Sequence, residues 1–203
     1  MGFCELSKNL SIMITPDLSH RHSKEPLPFP VPDWGTWVPE IEATLVFVHQ
    51  GSRVLLIEKQ RGIGAGKVNG PGGKIDAGET PLECAVRECQ EELHITVTDP
   101  VKRGELFFAM SDLPDIHCHV FTATEFEGEP TETDEAIPFW CQISEIPFHL
   151  MWEDDLYWLP SALRGEYFDA RFLFQEEKIH WDQVTIGEKA TSRWRESPST
   201  QHL

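Results

Sequence analysis

The chain has 203 residues, 40% of them hydrophobic and 10% aromatic, and a formal net charge of −17. That length fits one domain with extensions, or at most two small ones, with enough material to bury a core. The negative charge argues against a surface that grips many nucleic-acid phosphates, though metal cations can still admit an acidic small molecule.

Five cysteines (Cys4, Cys84, Cys89, Cys118 and Cys141) are scattered without a CxxC pair, as in a reduced cytoplasmic protein. No apolar run approaches the ~20 residues of a membrane span. The opening MGFCELSKNLSIMI lacks a basic stretch followed by a clean apolar one, and Leu6 breaks the myristoylation pattern. A cytoplasmic location, no membrane partner and a monomer or homodimer are the expectations.

Residues 1–40 read as a separate extension. KEPLPFPVPDWGTWVPE holds Pro26, Pro28, Pro30, Pro32 and Pro39, which block helix and central strand. We read a flexible tail over 1–25, then an extended arm whose Trp34 and Trp37 pack on the domain of residues 41–190. EATLVFVHQ and RVLLIEKQ are β-rich runs joined at Gly51-Ser52 as a hairpin. A glycine-rich turn and an acidic helix follow. ITVTDPVKRGELFFAM, IHCHVFTATEF and EAIPFWCQISEI read as further strands. EDDLYWLPSALRG reads as a second helix ending near Gly165, with Pro160 kinking it or lying near its start. YFDARFLFQ and IHWDQVTI are late strands, and 191–203 is a frayed tail. The sum is a mixed α/β (α+β) domain.

The acidic helix is the informative element. Thr80 can cap it, Pro81 suits its first position, and Glu83 completes a capping box. At ~100° per residue Leu82, Ala85, Val86, Cys89 and Leu93 form one stripe, expected to be buried. Glu88 and Glu92 stack in a column beside it, and Glu91 lies further round. Like charges four apart cost only about 0.2–0.5 kcal/mol per pair, so a solvated acidic face is one reading. Carboxylates converging near a glycine turn equally suit a hard divalent cation shared with phosphates.

These residues resemble the Nudix box. Gly73, Glu79, Arg87, Glu88, Glu91, Glu92 and Ile95 fall in its register. Cys89 fills the aliphatic slot, and His94 replaces the final glycine, which normally ends the helix in the left-handed conformation. The resemblance implies a Nudix fold, a mixed β-sheet between helices. It implies Mg²⁺ or Mn²⁺ held by Glu88, Glu91 and Glu92 with the Gly72 carbonyl, and Glu79 pairing with Arg87 to orient them. Glu91 and Glu135 are the candidates for the base that activates water.

Residues from about 43 to 185 also resemble the oxidised purine nucleoside triphosphatases related to MutT, in RGIGAGKVNGPGGK and in TDEAIPFWCQISEIPFHLMWEDDLYWLP. That likeness implies a base pocket lined by Thr44, Asn69 and Lys59, with Trp152 stacking and Asp154 and Asp155 reading the purine edge. Glu135 would be an additional metal ligand. Ile63 stands where the mammalian enzymes carry an aromatic. Two adjacent carboxylates in a dry pocket need not both ionise, and a shared proton would suit both 8-oxo-guanine and 2-hydroxy-adenine edges.

The expected activity is hydrolysis of oxidised purine nucleoside triphosphates to monophosphate and pyrophosphate. A Nudix hydrolase acting on dinucleoside polyphosphate, ADP-ribose or capped RNA is the alternative, and a non-catalytic nucleotide sensor the third reading. His117 and His119 share one strand face and raise the idea of zinc. No third ligand follows them, so they read as structural.

Overall fold

The computed structural model describes Leu27 and residues 29–187. The tails expected over 1–25 and 191–203 lie outside the described residues. Two long strands, β1 (Ile41–Gln50) and β2 (Arg53–Lys59), form an antiparallel hairpin closed by Gly51 and Ser52, with Gln50 opposite Arg53. A short β3 (Val68–Asn69) returns beside β2, and α1 spans Pro81–Leu93. β4 (Ile95–Thr98) pairs with β7 (Glu125–Gly128) in a small sheet of its own. Between them run β5 (Val101–Met110) and β6 (Ile116–Ala123). β8 (Ala136–Gln142) leads into α2 (Asp155–Leu163), and β9 (Tyr167–Gln175) and β10 (Lys178–Gly187) follow.

The main sheet has the order β10-β9-β5-β6-β1-β2-β3, with β8 also paired to β2. It is mixed, because β1 runs parallel to β6 and β5 parallel to β9. Alternation along the strands gives it two apolar faces. One face packs Phe47, Phe168, Phe172 and Phe174 around Trp158 and Leu159 of α2. The other packs Val46, Val48, Leu55 and Ile57 against Ala85, Cys89 and Leu93 of α1. Each fully buried side chain of this size contributes about 1.5–3 kcal/mol, so the two helices are held mainly by these faces.

The ends of α1 follow local chemistry. Thr80 Oγ1 accepts from the Glu83 amide at 3.3 Å, and the Glu83 carboxylate accepts from the Thr80 amide at 2.8 Å. His94 ends the helix at φ 59°, ψ 29°, the left-handed conformation, and its Nδ1 lies 2.7 Å from Thr131 Oγ1. The buried face, however, is turned from the expected stripe. Leu82 is 47% exposed, whereas Cys84, Ala85, Cys89, Glu92 and Leu93 are buried. Backbone of the glycine turn covers the Cys84–Glu88–Glu92 side, so the carboxylate column lies inside the interface rather than at its border.

The arm packs as expected. Trp34 stacks on Trp181, Trp37 meets Phe107 edge-on, and the Trp37 indole donates to Asp115 Oδ2 at 2.7 Å. Pro160 lies inside α2, which continues through it to Leu163. Among the described residues no helix is long and apolar enough to cross a membrane.

A left-handed non-glycine residue costs about 1–2 kcal/mol. His94→Gly should therefore raise the urea midpoint, by the equivalent of about 0.5–1 kcal/mol after the extra chain entropy of glycine. A lower midpoint would show that the His94–Thr131 contact outweighs the backbone strain.

Candidate active site

The glycine turn lies flat on β1. Thr44 N donates to Gly73 O and Val46 N to Pro71 O, both at 2.9 Å. A Cβ on Gly72 would sit 2.0 Å from the Thr44 carbonyl oxygen, and one on Gly73 would sit 2.2 Å from Glu88 Oε1. Bare backbone at these two positions is what lets the turn and the Glu88 carboxylate occupy the same corner.

Each helix carboxylate is held by a donor. Glu92 is 1% exposed; its Oε1 accepts from Lys59 Nζ at 3.0 Å and its Oε2 from the Gly72 amide at 2.9 Å. Arg87 is the hub of the other group. Its Nε and Nη2 grip Glu79 at 2.8 and 3.0 Å, and its Nη1 reaches Glu88 Oε1 at 2.8 Å and Glu91 Oε2 at 2.9 Å. The Arg87 guanidinium holds the Glu79 carboxyl down at about 2. Burial pushes Glu88 and Glu92 upward despite their cationic partners. Glu135 pairs with Arg61. With the Gly72 carbonyl these carboxylates offer oxygen ligands only, which fits a hard divalent ion.

Beside this cluster lies a cavity of about 370 Å³. Thr44, Lys59, Ile63, Asn69, Trp152, Asp154 and Asp155 all line it, as do Gly72 and Glu135. Lys59 thus touches both the cavity and Glu92. Glu88, Glu91 and Glu92 stand behind that wall. Asp154 and Asp155 are each 2% exposed. Asp154 occupies the N-cap position of α2 but does not cap it; its Oδ2 accepts from the Trp158 indole at 2.8 Å. Asp155 Oδ2 accepts from the Trp152 amide at 3.0 Å. Burial drives both carboxyls well above the ordinary range, and the neighbouring Asp154 raises Asp155 further.

Residues 39–162 match the NUDIX domain. The chain belongs to the Nudix family. It is 47% identical over 139 residues to the oxidized purine nucleoside triphosphate hydrolase of Danio rerio, covering 67% of this chain and 88% of that one. To the protein of the same name from Mus musculus it is 43% identical over 135 residues, covering 66% and 86%. The crystal structure of the MutT protein from Bacillus halodurans superposes with a TM-score of 0.64 at 28% identity, covering 71% of this chain and 97% of that one. The protein is accordingly a Nudix hydrolase, and its family uses a divalent metal.

Sequence reasoning missed several side chains of this Nudix site. Lys67 places its Nζ 4.8 Å over the Trp152 ring, Phe174 meets that ring edge-on, and Trp158 holds Asp154. None carries a motif of its own; only Lys67, three residues before the glycine turn that starts at Gly70, offered any signal. The reading of His117 and His119 as having no third ligand also changes, because Glu42 reaches both.

The buried aspartates make a pH prediction. Their folded pKa values exceed the unfolded value of about 3.9, so their contribution to stability is complete below that pH. It is lost as pH rises through the folded values. Asp155→Asn should therefore match wild type near pH 4 and become the more stable of the two by pH 8. Thermal unfolding across this range is the measurement, and a pH-independent difference would sink the reading.

Proposed function

We propose that the chain hydrolyses oxidised purine nucleoside triphosphates to the monophosphate and pyrophosphate, using Mg²⁺ or Mn²⁺. The observation that carries this reading is the cavity wall, where Trp152 and two adjacent buried aspartates, whose carboxyls burial pushes upward, stand beside the Nudix carboxylates. The relatives' names support the same substrate class.

In this reading the purine stacks on Trp152, whose ring is kept in place by Phe174 and Lys67. Asn69 donates and accepts to the base, and Ile63 and Thr44 supply walls. Asp154 and Asp155 meet the Watson–Crick edge. A carboxyl that keeps its proton donates to a ring nitrogen or carbonyl, and the ionised partner accepts from an N–H. The pair therefore matches an oxidised purine edge that presents both kinds of group.

Lys59 marks where the base pocket meets the phosphate end. Glu88, Glu91, Glu92 and Glu135, with the Gly72 carbonyl, would hold the divalent ion, which polarises the phosphoryl oxygens and lowers the pKa of the attacking water. Arg87, fixed by its two bonds to Glu79, keeps Glu88 and Glu91 aligned. Glu91, whose side chain is 56% exposed, or Glu135 takes the water's proton. An oxygen–phosphorus bond forms and the bridge between the α and β phosphates breaks, releasing pyrophosphate.

A panel of 8-oxo-dGTP, 2-hydroxy-dATP, dGTP, ADP-ribose, a dinucleoside polyphosphate and capped RNA should give the highest kcat/KM with an oxidised purine triphosphate. Preference for any of the last three would transfer the activity to that substrate, and no turnover of any would leave a sensor. Glu91→Gln should lower kcat by about 10²–10⁴-fold. Trp152→Ala should raise KM by about 5–100-fold, the worth of one base stack. Asp154→Asn and Asp155→Asn should change the ratio of kcat/KM between 8-oxo-dGTP and 2-hydroxy-dATP. Unchanged ratios in both variants would refute their part in reading the base.

A further inference from the structure

The face of the sheet that carries α1 has a second group of ligating side chains. In the parallel pairing of β1 and β6, Glu42 lies opposite His117, and His119 follows two residues along. In the antiparallel pairing of β6 and β5, Glu105 lies opposite His119 and Phe107 opposite His117. Paired residues share a face, so the register alone brings two imidazoles between two carboxylates.

The three ligand atoms are close enough to share one ion. Glu42 Oε2 is 2.9 Å from His117 Nδ1 and 3.2 Å from His119 Nε2. Ligands on a tetrahedral zinc, with bonds of about 2.0–2.1 Å, stand about 3.3 Å apart. All three ligand atoms lie within 4.8 Å of one another. The far nitrogens of both rings face one buried carboxylate. His117 Nε2 is 3.5 Å from Glu105 Oε2, and His119 Nδ1 is 3.7 Å from Glu105 Oε1. His117 Nε2 is buried without a hydrogen-bond partner. A carboxylate behind each imidazole is the arrangement that fixes ring orientation in metal sites. Phe107 stacks on His117 with centroids 4.5 Å apart and keeps that ring in place.

We propose that Glu42, His117 and His119 form a binding site for a d-block divalent cation, zinc above all, separate from the carboxylates of α1. Two imidazoles and one carboxylate suit zinc rather than magnesium. Glu105 is the positioning residue behind both rings. The Glu42 side chain is 46% exposed, so ions reach the site and water can complete the coordination.

Glu42 must draw back by a few tenths of an ångström to admit an ion, and Lys102 must adjust as well. Its Nζ is 2.8 Å from His119 Nδ1 and also pairs with Glu105. While it donates to Nδ1, the neutral ring carries its proton on Nε2 and gives it to Glu42. Zinc on Nε2 requires that proton on Nδ1, facing Glu105, with Lys102 bound to Glu105 alone. The ring remains neutral, so the exchange of tautomers balances without an external acid or base.

The test uses the full chain without a histidine tag, stripped by chelator and dialysed against ZnCl₂ in excess MgCl₂, which keeps the helix carboxylates supplied with a hard cation. Metal analysis should find one zinc per chain in wild type and in Glu88→Gln, and none in Glu42→Gln or His119→Gln. Cobalt(II) should give a visible d–d absorption in the first two proteins only. Zinc should raise the Tm of wild type and leave that of Glu42→Gln unchanged. Absence of zinc from wild type would overturn the proposal, as would retention by Glu42→Gln or loss from Glu88→Gln. If His119→Gln fails to fold, Glu42→Gln decides, because it alters a half-exposed carboxylate.

Discussion

The catalytic half of this molecule depends on one close approach, that of the glycine turn to β1. The two backbones are joined by hydrogen bonds at Thr44 and Val46, and at Gly72 there is no room for a Cβ. Because the turn lies so close, the Gly72 amide points at α1 and donates to Glu92. A buried carboxylate left unpaired would cost several kcal/mol. The amide and Lys59 offset that cost and keep Glu92 in place. The turn admits the helix, and the helix carboxylates in turn fill the space that glycine leaves open.

The sheet then sets two kinds of surroundings side by side. Its α2 face is lined by aromatics and holds Trp152 and the aspartates. Its α1 face carries the acidic helix and, further along β1 and β6, the histidine pair. Lys59, Gly72 and Glu135 line the cavity and also belong to the carboxylate cluster. A nucleotide is long enough to need both environments, apolar for the base and ionic for the phosphates. Their meeting at the end of β2 supplies both within one cleft.

Three buried acids show how partners decide charge. Asp154 and Asp155 accept from an indole and a backbone amide, which are uncharged, and burial drives their carboxyls up. Glu105 is 5% exposed, and burial pushes it the same way, but His117, His119 and Lys102 together hold it far below the ordinary range. The aspartates are therefore suited to keeping protons, and Glu105 to orienting imidazoles.

Local chemistry alone determined a good deal. The capping box, the proline at the first turn and the left-handed residue at position 94 place α1, because each acts within four residues. The Gly51-Ser52 hairpin and the spacing of the box are equally local. Trp152, Asp154 and Asp155 were marked as a group only by the resemblance to the oxidised purine nucleoside triphosphatases, in a segment short enough to compare directly. Tertiary structure decided how far α1 is rotated, exposing Leu82 and burying Cys84 and Glu92, because the glycine turn competes with the sheet for that helix. It likewise decided that Lys67 covers Trp152 and that Glu42 meets histidines more than seventy residues away. Parallel pairing of β1 with β6 carries no signal in either strand by itself. Its register is fixed only when both faces of the sheet bury their apolar sets at once.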